Sequence, residues 1–166
     1  MHEATPVHEA TENSATWLTD AEQRAWRSWL AADRRLFDRL DRELQQEAGM
    51  SHADYEILVH LSEADEDRMR MSELADRALF SRSRLSHAVA RLQRLGWVDR
   101  ESCPTDRRGT YAHLTANGRA ALEAAAAGHV AGVRRYVFDA LEAADVGELE
   151  RLATAILAAL GPAGPA

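Results

Sequence analysis

MSELADRALFSRSRLSHAVARLQRLGWVDRESCPTDRRGTYAHLTANG, running from Met71 to Gly118, decides the fold. Met71, Leu74, Ala75, Ala78 and Leu79 recur at helical spacing, and Leu85, Val89, Leu92 and Leu95 repeat that spacing after a break around Phe80 to Ser83. Ser72 is the cap candidate for the first of these short helices, Ser81 or Ser83 opens the second, and Gly96 closes it. Two short helices across so tight a turn form a helix-turn-helix unit. Beyond Gly96, WVDRE alternates apolar and polar residues, SCPTDRRG supplies Pro, Asp and Gly, and TYAHL alternates again. That pattern predicts a two-stranded hairpin with a long basic tip.

Outward from this centre the chain reads as helix on both sides. Thr19 and Glu22 have capping-box spacing, and Trp26, Trp29, Leu30, Leu36, Phe37, Leu40 and Leu44 follow at threes and fours, with Asp33 the one polar exception. The helix is predicted from about Asp20 to Glu47, roughly 40 Å long at ~1.5 Å per residue, more than a small domain needs for its own core. Gly49 ends it, and Ser51 opens a second helix with Asp54 at its third position and Tyr55, Leu58, Val59 and Leu61 facing inward. The acidic stretch from Ser62 to Asp67 is predicted as a loop. On the far side, Thr115, Asn117 and Gly118 lead into a helix of about twenty residues carrying Leu122, Ala126, His129, Val130, Val133 and Val137 on one face. Asp145 and Glu148 open a last helix with Leu149, Leu152, Ile156 and Leu160.

The fold class is therefore mostly α with a small β-hairpin wing: a winged helix-turn-helix plus a helical dimerisation region. Residues 1–16, with HEAT at His2 to Thr5 repeated at His8 to Thr11, are predicted as a disordered tail, and residues 161–166 as a C-terminal tail. Residues 17–160 are read as one domain, with dimerisation helices at about 19–47 and 116–160 and the winged unit at about 51–115.

A net charge of −7 at first argues against nucleic acid, whose phosphates are held by cations. The average conceals a polarised chain. From Arg77 to Arg119 there are nine arginines against three acids, a net +6, which leaves −13 for the remainder. A basic centre between acidic ends can hold DNA through one surface while the rest is repelled. The single cysteine, Cys103, excludes an internal disulfide and a multi-cysteine zinc site. With no apolar run of membrane-spanning length and no basic start leading into an apolar stretch, a cytoplasmic location is expected, with no membrane contact. No metal site and no cofactor are expected; the histidines of the N-terminal repeat have no fixed geometry for a metal.

On a helical wheel Leu85, Val89 and Leu92 centre the buried face of the second short helix, with Ser83, Ser86, His87, Ala90 and Arg94 opposite. Small residues there allow close approach to a major groove, while hydroxyls and His87 offer hydrogen bonds to base edges. Arg82 and Arg84, with Ser81 at the helix start, are candidates for reading guanine, and Arg91 and Arg94 for contacts further along. The hairpin tip adds Asp106, Arg107 and Arg108: one guanidinium for a narrow minor groove, one for a phosphate, and the aspartate to hold one of them in position.

At these residues the chain resembles the MarR family of bacterial regulators. PTDRRGTYAHLTANG, Pro104 to Gly118, is similar to the family's wing and following helix start, and Met71 to Glu101 is similar to its DNA-facing helices and first wing strand. The resemblance implies that Asp106 and Arg108 are the aspartate and arginine of the wing signature, and that Ser81 to His87 begins the recognition helix. His87 departs from the arginine common there. The resemblance also implies a homodimer, an inverted-repeat operator in double-stranded DNA, and a repressor released by a small aromatic or phenolic effector. The apolar stripes agree, since three amphipathic helices exceed what the small winged module can cover. For the effector cleft the candidates are Trp26, Trp29, His52, Tyr55 and His129, with Arg27 or Arg34 for a carboxylate. Core or dimer packing is the plainer role for the tryptophans, on the same stripe as Leu36 and Leu40.

Two alternatives belong to other classes. Cys103, close in sequence to Arg107 and Arg108, is a redox-switch candidate weighed against an inert exposed thiol. A helical interaction protein that binds no DNA is the other. An enzyme is excluded by the lack of a nucleophile with its base, a paired-carboxylate cleft or a phosphate-cradling glycine loop.

Overall fold

The computed structural model describes residues 17–103 and 106–161, apart from the side chains of residues 106–108. The predicted tails therefore lie outside the described residues, save for Gly161. The chain falls into two units, Met1–Arg34 and Arg35–Ala166.

Helix α1, Asp20–Ala48, begins in the first unit. Its start is the capping box read from the sequence: the Thr19 amide donates to Glu22 Oε2 at 2.7 Å, and the Glu22 amide to Thr19 Oγ1 at 3.3 Å. Burial along α1 is confined to Leu40 and Leu44, and Trp26 and Trp29 remain exposed.

The second unit contains the rest of α1, α2 (His52–Ser62), β1 (Arg68–Arg70), α3 (Met71–Arg77), α4 (Arg82–Arg94), β2 (Val98–Cys103), β3 (Asp106–Leu114), α5 (Ala116–Tyr136) and α6 (Ala143–Leu160). The strands form one antiparallel sheet in the order β1-β3-β2. A third strand corrects the expected two-stranded hairpin. Arg68, Met69 and Arg70 pair with His113, Ala112 and Tyr111 of β3, and residues 65–67, expected to be loop, form a single 3-10 turn. Three residues with one inward side chain, Met69, carry no alternation long enough to read; only the partner strand makes them a strand.

Two smaller expectations also change. Ser72 does not cap α3, because the helix starts at Met71 directly after β1 with Arg70 at the cap position. Leu79 is not part of an inward stripe: it lies beyond α3 with φ 53° and is exposed. Asp106 to Gly109, expected in the tip, have their backbone within β3, and the β2–β3 register shifts between Ser102 and Cys103.

The core is built from α2, α3, α4, the sheet and the start of α5, with Ile57, Leu58, Leu61, Leu74, Leu85, Val89, Leu92 and Val98 almost fully buried. Each short helix buries one stripe here, and side-chain caps set where α2, α4 and α5 begin. Ser51 accepts from the Asp54 amide, Ser81 from Arg84 and Thr115 from Gly118. Gly96 ends α4 with φ 72°, a conformation that a Cβ disfavours, and so turns the chain into β2. The end of α5 is tied to the second half of α1 by Tyr136, whose hydroxyl donates to Glu43. Helix α6 buries no side chain: Val146, Leu149, Leu152, Ile156 and Leu160 are all exposed. Among the described residues no helix is long and apolar enough to cross a membrane.

Candidate nucleic-acid interface

Helix α4 divides its surface into four strips. Leu85, Ala88, Val89 and Leu92 are buried against the core, so the helix cannot turn over without exposing them. Opposite them lie Ser83, His87, Ala90 and Arg94, all exposed. This strip is polar, mostly small and cationic at its end, as the wheel predicts.

One flank faces the sheet. Arg82 and Ser86 line a cleft of about 330 Å³ with Arg70 and Met71, Ser72 of α3, Leu85, Arg100 of β2, and Gly109 and Thr110 of β3. Arg100 Nη2 donates to the Ser86 carbonyl at 2.7 Å, joining the sheet to the middle of α4, while Arg100 Nε is buried without a hydrogen-bond partner. Arg70 Nη2 donates to the Cys103 sulfur at 3.3 Å. Three guanidinium groups beside α4 favour anionic neighbours through Coulomb attraction in a partly desolvated cleft. Neither Arg70 nor Arg100 stood among the sequence candidates; Arg100 lies in the basic segment and Arg70 just before it, but the pairing that brings them to Arg82 is long-range.

The other flank faces α2 and α1. The Arg91 guanidinium pairs with the Asp54 carboxylate and donates to Ser51 Oγ at 3.4 Å. Arg84 stacks over the Phe80 ring, its guanidinium carbon 4.0 Å from the centroid, and lines a groove with Phe37, Asp41, His52, Ala53 and Glu56. Ser81, a sequence candidate, uses its hydroxyl to cap the helix at the Arg84 amide, 3.2 Å away. The side chains of Asp106, Arg107 and Arg108 lie outside the described residues, while their backbone is in β3.

Of the effector candidates, the structure brings together His52, Tyr55 and His129. The ring of His129 lies 4.4 Å from Tyr55 and 5.6 Å from His52, and Phe37 meets His52 edge-on at 5.1 Å. His129 Nδ1 is buried without a hydrogen-bond partner. Trp26, Trp29, Arg27 and Arg34 belong to the first unit, where both tryptophans are exposed and Arg27 donates to Gln23 at 3.1 Å. Burial, and next the neighbouring His52, hold His129 below the ordinary imidazole value of 6.5; burial alone raises Tyr55. Unfolding releases His129 to that ordinary value, so on acidification the unfolded chain takes up the proton first. Its contribution to stability is full above pH 6.5 and is lost as the pH falls through the lowered value. Thermal melts across this range should show a shallower fall in His129→Gln than in the wild type, and an unchanged slope refutes the assignment.

Cys103 is buried, at 4% exposure, which corrects the expectation of an exposed thiol. Among the described residues, no group of three His, Cys, Asp or Glu side chains is placed to share a metal ion.

A family model described as "MarR family" matches residues 48–109. The chain is 49% identical to Sco3205 of Streptomyces coelicolor, a MarR family transcriptional regulator solved in complex with DNA; the match covers 88% of this chain and 95% of that one, with a TM-score of 0.85. AbsC, a MarR family transcriptional regulator of the same organism, is 46% identical over 87% of this chain and 97% of its own, with a TM-score of 0.82. A MarR mutant from E. coli, complexed with operator DNA, shares the fold at 22% identity, with 86% and 99% covered and a TM-score of 0.74. No curated protein sequence matches the chain.

Proposed function

The chain belongs to the MarR family of transcriptional regulators, and from that premise we propose that it is a homodimeric, cytoplasmic repressor of an inverted-repeat operator, released by a small aromatic effector. As a member it is a DNA-binding regulator and not an enzyme. The observation that carries the operator reading is the exposed strip of α4, Ser83, His87, Ala90 and Arg94, flanked by Arg82 on the sheet side. That strip lies opposite the buried face of the helix, and Sco3205, the relative at 49% identity, was solved with DNA.

In this reading Ser83, Ser86 and His87 meet base edges, and Ser81 presents the helix start. Arg82, Arg84 and Arg94 hold phosphates or guanine, and the wing contributes Asp106, Arg107 and Arg108. Residues 17–160 act as one domain, whose helices at 19–47 and 116–160 form the dimer. Two such chains about a two-fold axis set their recognition helices about 34 Å apart, one turn of duplex. The effector is assigned to the surroundings of His52, Tyr55 and His129, whose clustered, tilted rings and unpartnered imidazole nitrogen suit an aromatic group with a polar substituent. Trp26, Trp29, Arg27 and Arg34 are proposed as further effector contacts in their own right.

Genomic fragments selected by the purified chain supply the operator, and anisotropy against salt tests the mode of binding. The logarithm of affinity should fall linearly with the logarithm of salt, with a slope near −5 if about six phosphates are neutralised. His87→Ala should change the preferred sequence, whereas Arg94→Ala should weaken all duplexes alike. Affinity that does not respond to salt, or no duplex bound at low ionic strength, refutes the proposal. Aromatic carboxylates added to the bound complex test the effector.

A further inference from the structure

Asp54 is buried in the core, at 3% exposure, and every polar edge of its carboxylate is used. Oδ2 accepts from the Ser51 amide at 3.1 Å and from Ser51 Oγ at 2.7 Å, closing the capping box of α2. Oδ1 takes the Arg91 guanidinium of α4. The next amide, that of His52, donates to Asp41 Oδ1 of α1 at 2.8 Å. The start of α2 is thus a junction of hydrogen bonds from which α4 is held on one flank. On the opposite flank α4 is held by Arg100, through the Ser86 carbonyl at 2.7 Å.

Apolar burial alone leaves a helix some freedom to roll, because the contacts of Leu85, Val89 and Leu92 are non-directional. Two hydrogen-bonded anchors on opposite flanks remove that freedom, since rolling either way lengthens one of them. Whatever Ser83, His87 and Arg94 meet is therefore fixed by groups that face away from them. Arg91 cannot reach for a phosphate without leaving a carboxylate buried and uncompensated.

We propose that Arg91, held by the buried Asp54, is a positioning residue that fixes the roll of the recognition helix, and that it does not contact DNA. The inference rests on the operator reading above and reassigns Arg91, which the sequence offered as a DNA contact.

The test uses the full chain with its selected operator, comparing wild type, Arg91→Ala, Asp54→Asn and the double variant, each checked by a thermal melt to be folded at the assay temperature. Each single change should weaken operator binding by about tenfold or more, with the double variant no weaker than the single ones, because both remove one interaction. The salt slope and the affinity for unrelated duplex should match the wild type, so that the preference for operator is what falls. Asp54→Asn retains an oxygen for the cap and serves if Arg91→Ala does not fold. A salt slope smaller by about one in Arg91→Ala, with weakening on all duplexes and none in Asp54→Asn, identifies a phosphate contact and overturns the role. A lowered melting temperature with wild-type affinity in the folded protein overturns it equally, by reducing the pair to a structural one. A wild-type chain that binds no duplex overturns the operator reading itself, and this role with it.

Discussion

Gly118→Ala is expected to lower the stability of the fold by about 3 kcal/mol, against the usual gain from alanine in a helix. Gly118 is in the first turn of α5, where a Cβ would lie 2.1 Å from the Trp97 carbonyl oxygen and 2.8 Å from Leu114 Cδ1. The obstacle is backbone, and it cannot yield easily. The Trp97 carbonyl accepts from the Thr115 amide at 3.0 Å, and the Thr115 hydroxyl donates to the Gly96 carbonyl at 2.7 Å while accepting from Gly118 itself. A side chain at Gly118 therefore drives the start of α5 away from the start of β2 and opens the core at Val98 and Leu114. Gly147 in α6 is the control, because nothing lies within 4 Å of the position a Cβ would take. Alanine there should raise stability by up to about 1 kcal/mol. Denaturant unfolding of the two variants gives opposite signs if the close approach is real, and the same sign if it is not.

If the chain forms the proposed dimer through α6, Leu152→Glu is expected to abolish that dimer and with it tight operator binding, at least about a hundredfold, while leaving the fold of each chain intact. Leu152 lies at the middle of the stripe from Val146 to Leu160, and at 46% exposure it contributes little to the packing of its own chain. Were that face left in water, six large apolar side chains on one helix, Leu157 among them, would form an exposed patch of the kind that marks an interface. In a two-fold interface the substitution enters twice, and two carboxylates are brought into an apolar seam. Loss of one recognition helix then removes half the phosphate contacts. Sedimentation shows the oligomeric state and anisotropy the affinity; a dimeric Leu152→Glu with unchanged operator binding places the interface elsewhere.

Family membership and the mostly helical winged fold were legible before any coordinates, because the relevant signals are local. Helical spacing, the caps at Thr19, Ser51, Ser81 and Thr115, and the glycine that ends α4 each act within a few residues. The wheel of α4 likewise separates Leu85, Val89 and Leu92 from Ser83, His87 and Arg94 without reference to the rest of the chain.

What remained hidden depends on partners distant in the chain. Strand β1 exists because residues 111–113 run alongside it, and its three residues carry no pattern of their own. The burial of Cys103 likewise waits on the assembled sheet, with Arg70 of β1 at its sulfur.

By itself the sequence determined where helices start and stop, which faces are apolar, and that a basic module lies between acidic flanks, since these follow from backbone capping, periodicity and charge along a few turns. Tertiary structure alone decided what each arginine does. On one helix Arg82 faces the cleft beside the sheet, Arg84 covers Phe80 and Arg91 binds Asp54. A long flexible cation takes its role from whichever group folding brings within reach, and Asp54 is 37 residues away from Arg91 in the chain.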